Sequence, residues 1–485
     1  MFTLPLDILL LFTITTPVAG WVGQKLHRRS ICGLYAASGL TASGIALSQM
    51  FTQLSSGQTV PASSNTLFSA AFKVDALGIF MAAAFTVLGI AATAYSIKYM
   101  EKDSGTIIYY TLLMAMISGL TGVVFAGDLF TLYVFWELMS IASYVLVAFR
   151  KEEWEPVEAG FKYLVMSAAA SATILFGLSL LYGMAGTLNF EGLATTLGSS
   201  SPNSWMYVAA LFILVGFGVK TAVFPLHTWL PDAHSAAPTP VSALLSGIVI
   251  ETGVYALTRT FFTALASTET HLFILLASLS VLTMFVGNVT ALLQNDLKRL
   301  LAYSSIGQVG YILAGVAVGT ELGLTGAVAH IFNHALMKGT AFLCAGAVIY
   351  KLGSRQLDEM SGIGRKMPVT AAIFAISLFA LIGMPPLNGF ASELTLFTAA
   401  VQADASWLGI ALILNSVISA AYYLRVLRTL LEPVSSEKVE KMKEAPLLML
   451  LPMCALAVLI VIFGIWPDQL LRFAQQAASS LLGGR

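Results

Sequence analysis

The chain has 485 residues, 57% of them hydrophobic and 10% charged, with 25 basic and 25 acidic side chains and no net charge; its mean hydropathy is +0.83. A soluble domain carries about 25% charged residues, and the deficit here runs along the whole length, which excludes a soluble domain on one anchor. No long basic stretch exists to suit nucleic acid.

A bilayer-crossing helix needs about 20 mostly apolar residues. In chain order the candidates are 4–24, 31–52, 74–97, 107–126, 129–149, 161–184 and 206–226, then 240–262, 272–294, 301–319, 323–350, 369–398, 406–429 and 446–466. They are helices 1 to 14 of an all-α integral membrane protein, a single polytopic domain over 1–485. The first has no basic residue before it and Lys25, Arg28 and Arg29 after it, the wrong polarity for a cleaved leader. Cys32, Cys344 and Cys454 stand far apart in apolar runs without a C-x-x-C pair. Neither an iron–sulfur site nor a structural zinc is expected.

Basic residues give the orientation. Of the 25 Lys/Arg, Lys220 and Lys338 lie inside apolar segments, and Lys73, Arg259, Arg472 and Arg485 fall on the loops after even-numbered helices or on the C-terminal tail. The other nineteen fall on loops after odd-numbered helices. By the positive-inside rule both termini face away from the cytoplasm of a cell inner membrane.

A few ionisable residues remain deep in apolar runs: Glu137, Lys220, Glu251, His330, His334, Lys338 and Glu393. A charge at the bilayer centre costs at least ~2.5–3.5 kcal/mol, so such residues pair, face the bundle interior or line a wet cavity. A series over five helices favours an ion path over purely structural ion pairs. Ser140 and Tyr144 follow Glu137 at i+3 and i+7 and offer hydroxyls on its face. A Glu137–Lys220 pair that can be made and broken would act as a proton switch. His330, His334 and Lys338 share one face at i, i+4 and i+8. A metal site is not expected there, because no third ligand is evident and Lys338 would repel a cation; a hydrated relay is preferred. His227, Asp232 and His234 flank a break after helix 7 and serve either as an inlet or to satisfy loop backbone.

Two apolar segments are interrupted alike. VKTAVFPLHTWLPDAHSAAPTP carries Pro225, Pro231, Pro238 and Pro240, and LIGMPPLNGFASELTLF carries Pro385, Pro386 and Gly389. Proline removes a helical hydrogen bond, and the freed carbonyls need protein or water around them. Broken helices 7 and 12 stand five helices apart, an odd offset that reverses topology, as in transporters built from inverted repeats. The repeats would be helices 4–8 (107–262) and 9–13 (272–429).

From helix 3 to helix 13 the chain resembles the antiporter-like membrane subunits shared by respiratory complex I, energy-converting membrane hydrogenases and Mrp-type sodium/proton antiporters. The resemblance rests on DLFTLYVFWELMSIASY, FKYLVMSAAAS, GVKTAVFPLHTWLPDAHSAAPTPVSALLSG, QNDLKRLLAYSSIGQVGY, HIFNHALMKGTAFL and GMPPLNGF in that order. It implies fourteen helices in two inverted five-helix repeats, with Glu137 paired to Lys220. A midplane line would then run through His330, His334 and Lys338 to Glu393. It implies no cofactor in this subunit. The implied partners are other membrane subunits of one complex, related antiporter-like subunits among them, with lipid around them and a cytoplasmic redox arm where the complex is an oxidoreductase. Glu251 and Glu393 stand where many relatives have lysine. A carboxylate suits H⁺ or Na⁺, so the ion stays open. The stretch after 466 is short for the long lateral helix of the largest complex I subunit, and that class is not expected. The reading is thus an H⁺- or Na⁺-translocating subunit without catalytic chemistry of its own, set against an Mrp-type antiporter subunit and a structural membrane scaffold.

Overall fold

The computed structural model describes residues 3–55, 71–198, 203–265, 269–434 and 436–482. The described residues form helices and loops, with three isolated β-bridges and no strand. In chain order the long helices are α1 (Leu4–Lys25), α2 (Ser30–Ser55), α3 (Ala76–Tyr99), α4 (Thr106–Phe125), α5 (Leu129–Val147), α6 (Trp154–Ala185) and α7 (Ser204–Thr221). Then come α8 (Thr239–Ala264), α9 (Glu269–Leu292), α10 (Leu297–Val318) and α11 (Glu321–Leu352). Helix 12 is two pieces, α12a (Pro368–Leu381) and α12b (Asn388–Gln402), followed by α13 (Ser406–Leu431), α14 (Leu447–Ile465) and α15 (Asp468–Leu482). Thirteen of these are long and apolar enough to cross a membrane singly. The two pieces of helix 12, of 14 and 15 residues, are each too short to cross singly; Leu357–Lys366 together with α12a, bent by 117°, makes up to a fourteenth candidate.

Local chemistry sets the helix ends. Asp75, Asp128, Asn203, Asp296 and Thr320 are N-caps whose side chains accept backbone N–H groups of the first turn. Gly186, Gly319 and Gly353 close α6, α10 and α11 in the left-handed conformation. The apolar window of α8 is wholly buried and that of α10 is 89% buried, against 28% in α1 and 33% in α14. The bundle is therefore built around α8, α10, α11 and α3, with α1, α2, α6, α13 and α14 at its rim.

Ion pairs tie the loops into two faces. On one, Arg150 meets Asp103 (2.8 Å), Arg299 meets Asp232 (2.7 Å), and Arg355 meets Glu155 (2.9 Å) and Asp296 (3.1 Å). On the other, Arg259 meets Asp75 (2.5 Å) and Lys73 meets Glu191 (2.9 Å), while Gln475 and Ser479 of α15 donate to Glu321. Loops after odd and even helices thus fall on opposite faces, as the spacing of basic residues requires. Arg485 lies outside the described residues.

Four expectations need correction. Helix 7 ends at Thr221, with Ala222 left-handed, rather than running to 226. Helix 12 is broken, as expected, but its second piece runs on to Gln402 rather than ending at 398. Arg259 is a buried partner of Asp75, not a loop residue. The tail after 466 forms α15, which buries Leu470, Ala474, Ala477, Ala478 and Leu481; its alternate polar face kept it below the apolar threshold for a span.

Candidate functional site

Lys220 sits in the last turn of α7, where the chain turns away at Ala222, and its side chain is buried. Its Nζ donates to Ser140 Oγ at 3.1 Å and Ser143 Oγ at 3.3 Å, and lies 4.5 Å from the centre of the Tyr163 ring. Ser143 is itself bonded to the Tyr163 hydroxyl at 2.9 Å. No nitrogen–oxygen contact within 4.0 Å joins Lys220 to Glu137. Ser140, one turn beyond Glu137, takes the ammonium instead.

Glu137 is half-buried rather than deep. It borders an exposed apolar stripe of Phe130, Val134, Ile141 and Val145, and its Oε1 is buried without a hydrogen-bond partner. Beyond the α7 break, Trp229 Nε1 donates to Val219 O at 2.7 Å and its ring stacks on Tyr163 at 4.0 Å. Val219 O also accepts from Ala222 N at 3.1 Å, so Trp229 adds a second bond at the end of α7.

The residues of the break divide. Asp232 accepts from Lys162 (3.1 Å) and Arg299 (2.7 Å) and pins α6 to α10 at the face. His227 is half-buried against Phe224, with Nδ1 unpartnered. His234 is fully buried, stacked on Phe342, with neither ring nitrogen hydrogen-bonded, and it lies within electrostatic range of Lys298 and Lys338. Lys298, counted above among the loop basics, is also buried and donates to Ser235 O (3.2 Å) and Ala237 O (2.6 Å).

In the core, α8 contains a π-helical turn, Leu245–Val249, a feature common beside functional sites. Just after it Glu251 is fully buried, and its Oε1 lies 2.6 Å from His334 Nδ1. The contact is poorly directed, since both carboxylate oxygens and both ring nitrogens lack a well-formed hydrogen bond. Glu251 thus meets His334, and neither Lys220 nor Lys338. Within the π turn, Ser246 is bonded to Ser305 of α10 at 2.6 Å.

Lys338 is held as Lys220 is, by hydroxyls and a tyrosine. Its Nζ donates to Ser304 Oγ (2.6 Å) and to the Tyr423 hydroxyl (3.1 Å). His330 is bonded through Nε2 to Gln308 (2.7 Å) and through Nδ1 to Ser392 (3.0 Å).

Glu393, on α12b, is half-buried at the wall of a cavity of about 460 Å³ lined by Tyr311, Gly383, Phe390, Leu412 and Ser416. Ser416 Oγ donates to its Oε2 at 3.2 Å, and Tyr311 and Ser416 share a bond of 2.9 Å. The left-handed Gly383 lies against the carboxylate; a Cβ there would stand 2.4 Å from Oε2. Gly389 permits the closest crossing of the two half-helices, since its Cβ would fall 1.9 Å from Ala380 O.

Three groups therefore come together: Lys220 with the α5–α6 hydroxyls, Glu251–His334 with His330, and Lys338 with Ser304 and Tyr423. Glu137 and Glu393 stand apart, half-buried at the two sides. The partners Ser143, Ser304, Gln308, Asn333, Ser392, Ser416 and Tyr423 were not anticipated, because a lone hydroxyl or amide in an apolar run gives no sign of what it faces. A buried, hydroxyl-lined series of cations and carboxylates can hold protons, or small cations at its carboxylates, and pass them between stations.

Residues 126–419 match the family described as NADH:quinone oxidoreductase/Mrp antiporter, TM, and residues 62–110 match that described as NADH-Ubiquinone oxidoreductase (complex I), chain 5 N-terminus. Over 426 residues the chain is 34% identical to the F(420)H(2) dehydrogenase subunit N of Methanosarcina mazei, covering 86% of each. Over 413 residues it is 35% identical to the NADH-quinone oxidoreductase subunit N of Desulforudis audaxviator, covering 81% of each. A chain of the membrane-bound sulfane sulfur reductase, an archaeal respiratory membrane complex, superposes with a TM-score of 0.91 at 28% identity, over 99% of this chain and 97% of that one.

Proposed function

The chain belongs to the NADH:quinone oxidoreductase/Mrp antiporter membrane family, and from that premise we propose that it is an ion-translocating subunit of a multisubunit, complex I-like oxidoreductase or energy-converting membrane hydrogenase. It is a multi-pass membrane protein that moves H⁺ or Na⁺ along Glu137, Lys220, Glu251, His330, His334, Lys338 and Glu393. The observation that carries the reading is that Lys220, Glu251, His330, His334 and Lys338 are all buried in one bundle, and both lysines are held by hydroxyls rather than by carboxylates. An ion pair kept only for structure would be directly bonded, as Arg259–Asp75 is. Here each lysine keeps a neutral cradle that suits it charged or uncharged, since a hydroxyl both donates and accepts.

Other expectations belong to the same proposal. The α4–α8 and α9–α13 units form the two inverted repeats. Support comes from the two broken helices, at each of which a carbonyl of the last turn accepts a side-chain N–H: Val219 O from Trp229 and Leu381 O from Gln308. Both termini face away from the cytoplasm, with the Arg/Lys-rich loops inside. The partners are the other membrane subunits and the redox arm that drives them; relatives bear the names of oxidoreductase subunits.

The deciding experiment replaces Lys220 by Ala in the purified complex and measures redox-driven proton and sodium uptake into liposomes. Loss of uptake per electron transferred is expected. Undiminished uptake at normal turnover overturns the assignment, and uptake that persists without sodium identifies the proton as the ion.

A further inference from the structure

Around His330 each hydrogen-bonding role follows from groups that can only accept. Gln308 Nε2 donates to Leu381 O at 3.2 Å. A carbonyl cannot donate, so that end of the amide is its nitrogen, and Oε1 faces His330 Nε2 at 2.7 Å. Oε1 accepts only, so Nε2 carries a hydrogen. The neutral ring is the Nε2–H tautomer, and Nδ1 is the atom that gains or loses a proton.

Nδ1 faces Ser392 Oγ at 3.0 Å. That hydroxyl has one hydrogen and two claimants, Nδ1 and Gly389 O at 3.1 Å. Asn333 Nδ2 donates to the same oxygen at 3.1 Å and to Asn388 O at 2.9 Å, while Asn388 Nδ2 returns a bond to Asn333 Oδ1 at 2.9 Å. With the ring neutral, Ser392 donates to Nδ1. With the ring cationic, Nδ1–H donates to Ser392, whose hydrogen turns to Gly389 O at the start of α12b. Ser392 keeps its own hydrogen throughout. Both states leave the ring and the hydroxyl fully bonded with no heavy atom moved. The other titratable groups nearby are His334 one turn along α11 and Tyr311 of α10, with ring centres 6.4 and 6.0 Å away, and Glu393, next to Ser392 in the chain. None of them bonds a ring nitrogen of His330.

We propose that Gln308 is a positioning residue that locks His330 as the Nε2–H tautomer, confines its proton exchange to Nδ1 on the side facing α12b, and leaves Ser392 to report the ring's charge to the backbone of the broken helix. The Nε2 side is closed, because an amide oxygen bonded to Nε2–H is not basic enough to carry the proton onward. The inference deepens the ion-path reading and rests on it for transport only.

The test is solid-state NMR of the full chain in liposomes with ¹⁵N-labelled histidine rings. The chain has six histidines, and His330→Gln identifies the His330 signals. The neutral native ring is expected as Nε2–H. Gln308→Leu is expected to raise the Nδ1–H share about tenfold, the equivalent of one buried hydrogen bond. A native ring found as Nδ1–H, or a ratio unmoved by Gln308→Leu, overturns the lock. The native spectrum alone decides the tautomer should the Leu variant fail to fold. In the assembled complex, Ser392→Ala is expected to lower ion uptake per turnover about tenfold and Ser392→Thr to restore it; uptake equal to wild type in the Ala variant overturns the role of Ser392. The tautomer is read without transport, so a Lys220→Ala result that overturns the ion path leaves it standing, and a failed lock leaves the path intact.

Discussion

Replacing Gly383 by Ala perturbs the α12 break at one point with a calculable cost. The residue is left-handed at φ +81°, and its new Cβ would lie 2.4 Å from Glu393 Oε2. The backbone penalty for an L-residue in that region is about 1–2 kcal/mol. Relief of the clash falls to the carboxylate, because it is the flexible partner, and moving it breaks the Ser416–Glu393 bond of 3.2 Å. That hydrogen bond contributes about 0.5–1.5 kcal/mol, so the total loss is about 1.5–3.5 kcal/mol. Gly186 supplies the control. It is left-handed at φ +67° with nothing within 4 Å of its Cβ position, so Gly186→Ala carries the backbone penalty alone. Denaturant unfolding of both variants in mixed micelles, alongside redox-driven ion uptake, separates the two contributions. Only Gly383→Ala is expected to lose uptake, and Glu393→Asp in the same chain is expected to recover part of it by shortening the clashing side chain. Equal stability losses in the two glycine variants, with uptake unchanged, would refute the reasoning.

Further outcomes follow from the same geometry. Glu251→Gln keeps the volume but removes the carboxylate 2.6 Å from His334, and is expected to cut ion uptake per turnover by about 10²-fold while the amount of folded chain stays near normal; unchanged uptake would remove Glu251 from the path. Arg259→Ala leaves Asp75 without its buried partner, a loss of about 3–5 kcal/mol, and is expected to lower the yield of folded chain without changing uptake per assembled complex. At the surface, the Lys73 ammonium holds Glu191 below its ordinary value of 4.5. A carboxylate lowered in the folded state adds stability above that value and loses it as pH falls through the lowered one. Because Glu191 is largely exposed, Lys73→Ala is expected to flatten the acid limb of the stability profile by about 1 kcal/mol or less, seen by unfolding between neutral pH and pH 3.

The spans were legible because apolar length is a strong signal, and the division of the loops between two faces because basic residues fall on alternate ones. The buried cations were legible too, since Lys220 and Lys338 have no charged neighbours in sequence to account for them. Whether a charge faces lipid or protein was not, because both environments are apolar: Glu137 and Glu251 sit in equally hydrophobic runs, yet one is half-buried at the rim and the other sealed in the core. Lys298 read as a loop residue beside Asp296 and Arg299, but at the start of α10 it turns inward to cap carbonyls of the α7–α8 link. The partner of Glu251 depended on the π turn in α8, which shifts the register of every residue after it. The helix α15 escaped notice because half its surface is polar.

The central helices α8, α10 and α11 are sheathed by other helices, and this has a consequence for how their charges influence one another. His330 and Lys338 are eight residues apart on α11, about 12 Å by helical rise, and salt ions do not penetrate between them. At an effective dielectric constant of about 20, two unit charges at that separation interact by about 1.4 kcal/mol, a tenfold bias. In open water at physiological ionic strength the same separation exceeds a Debye length of about 8 Å and the bias nearly vanishes. The sheath therefore acts as electrical insulation, and two positive charges two turns apart on one helix exclude each other without touching.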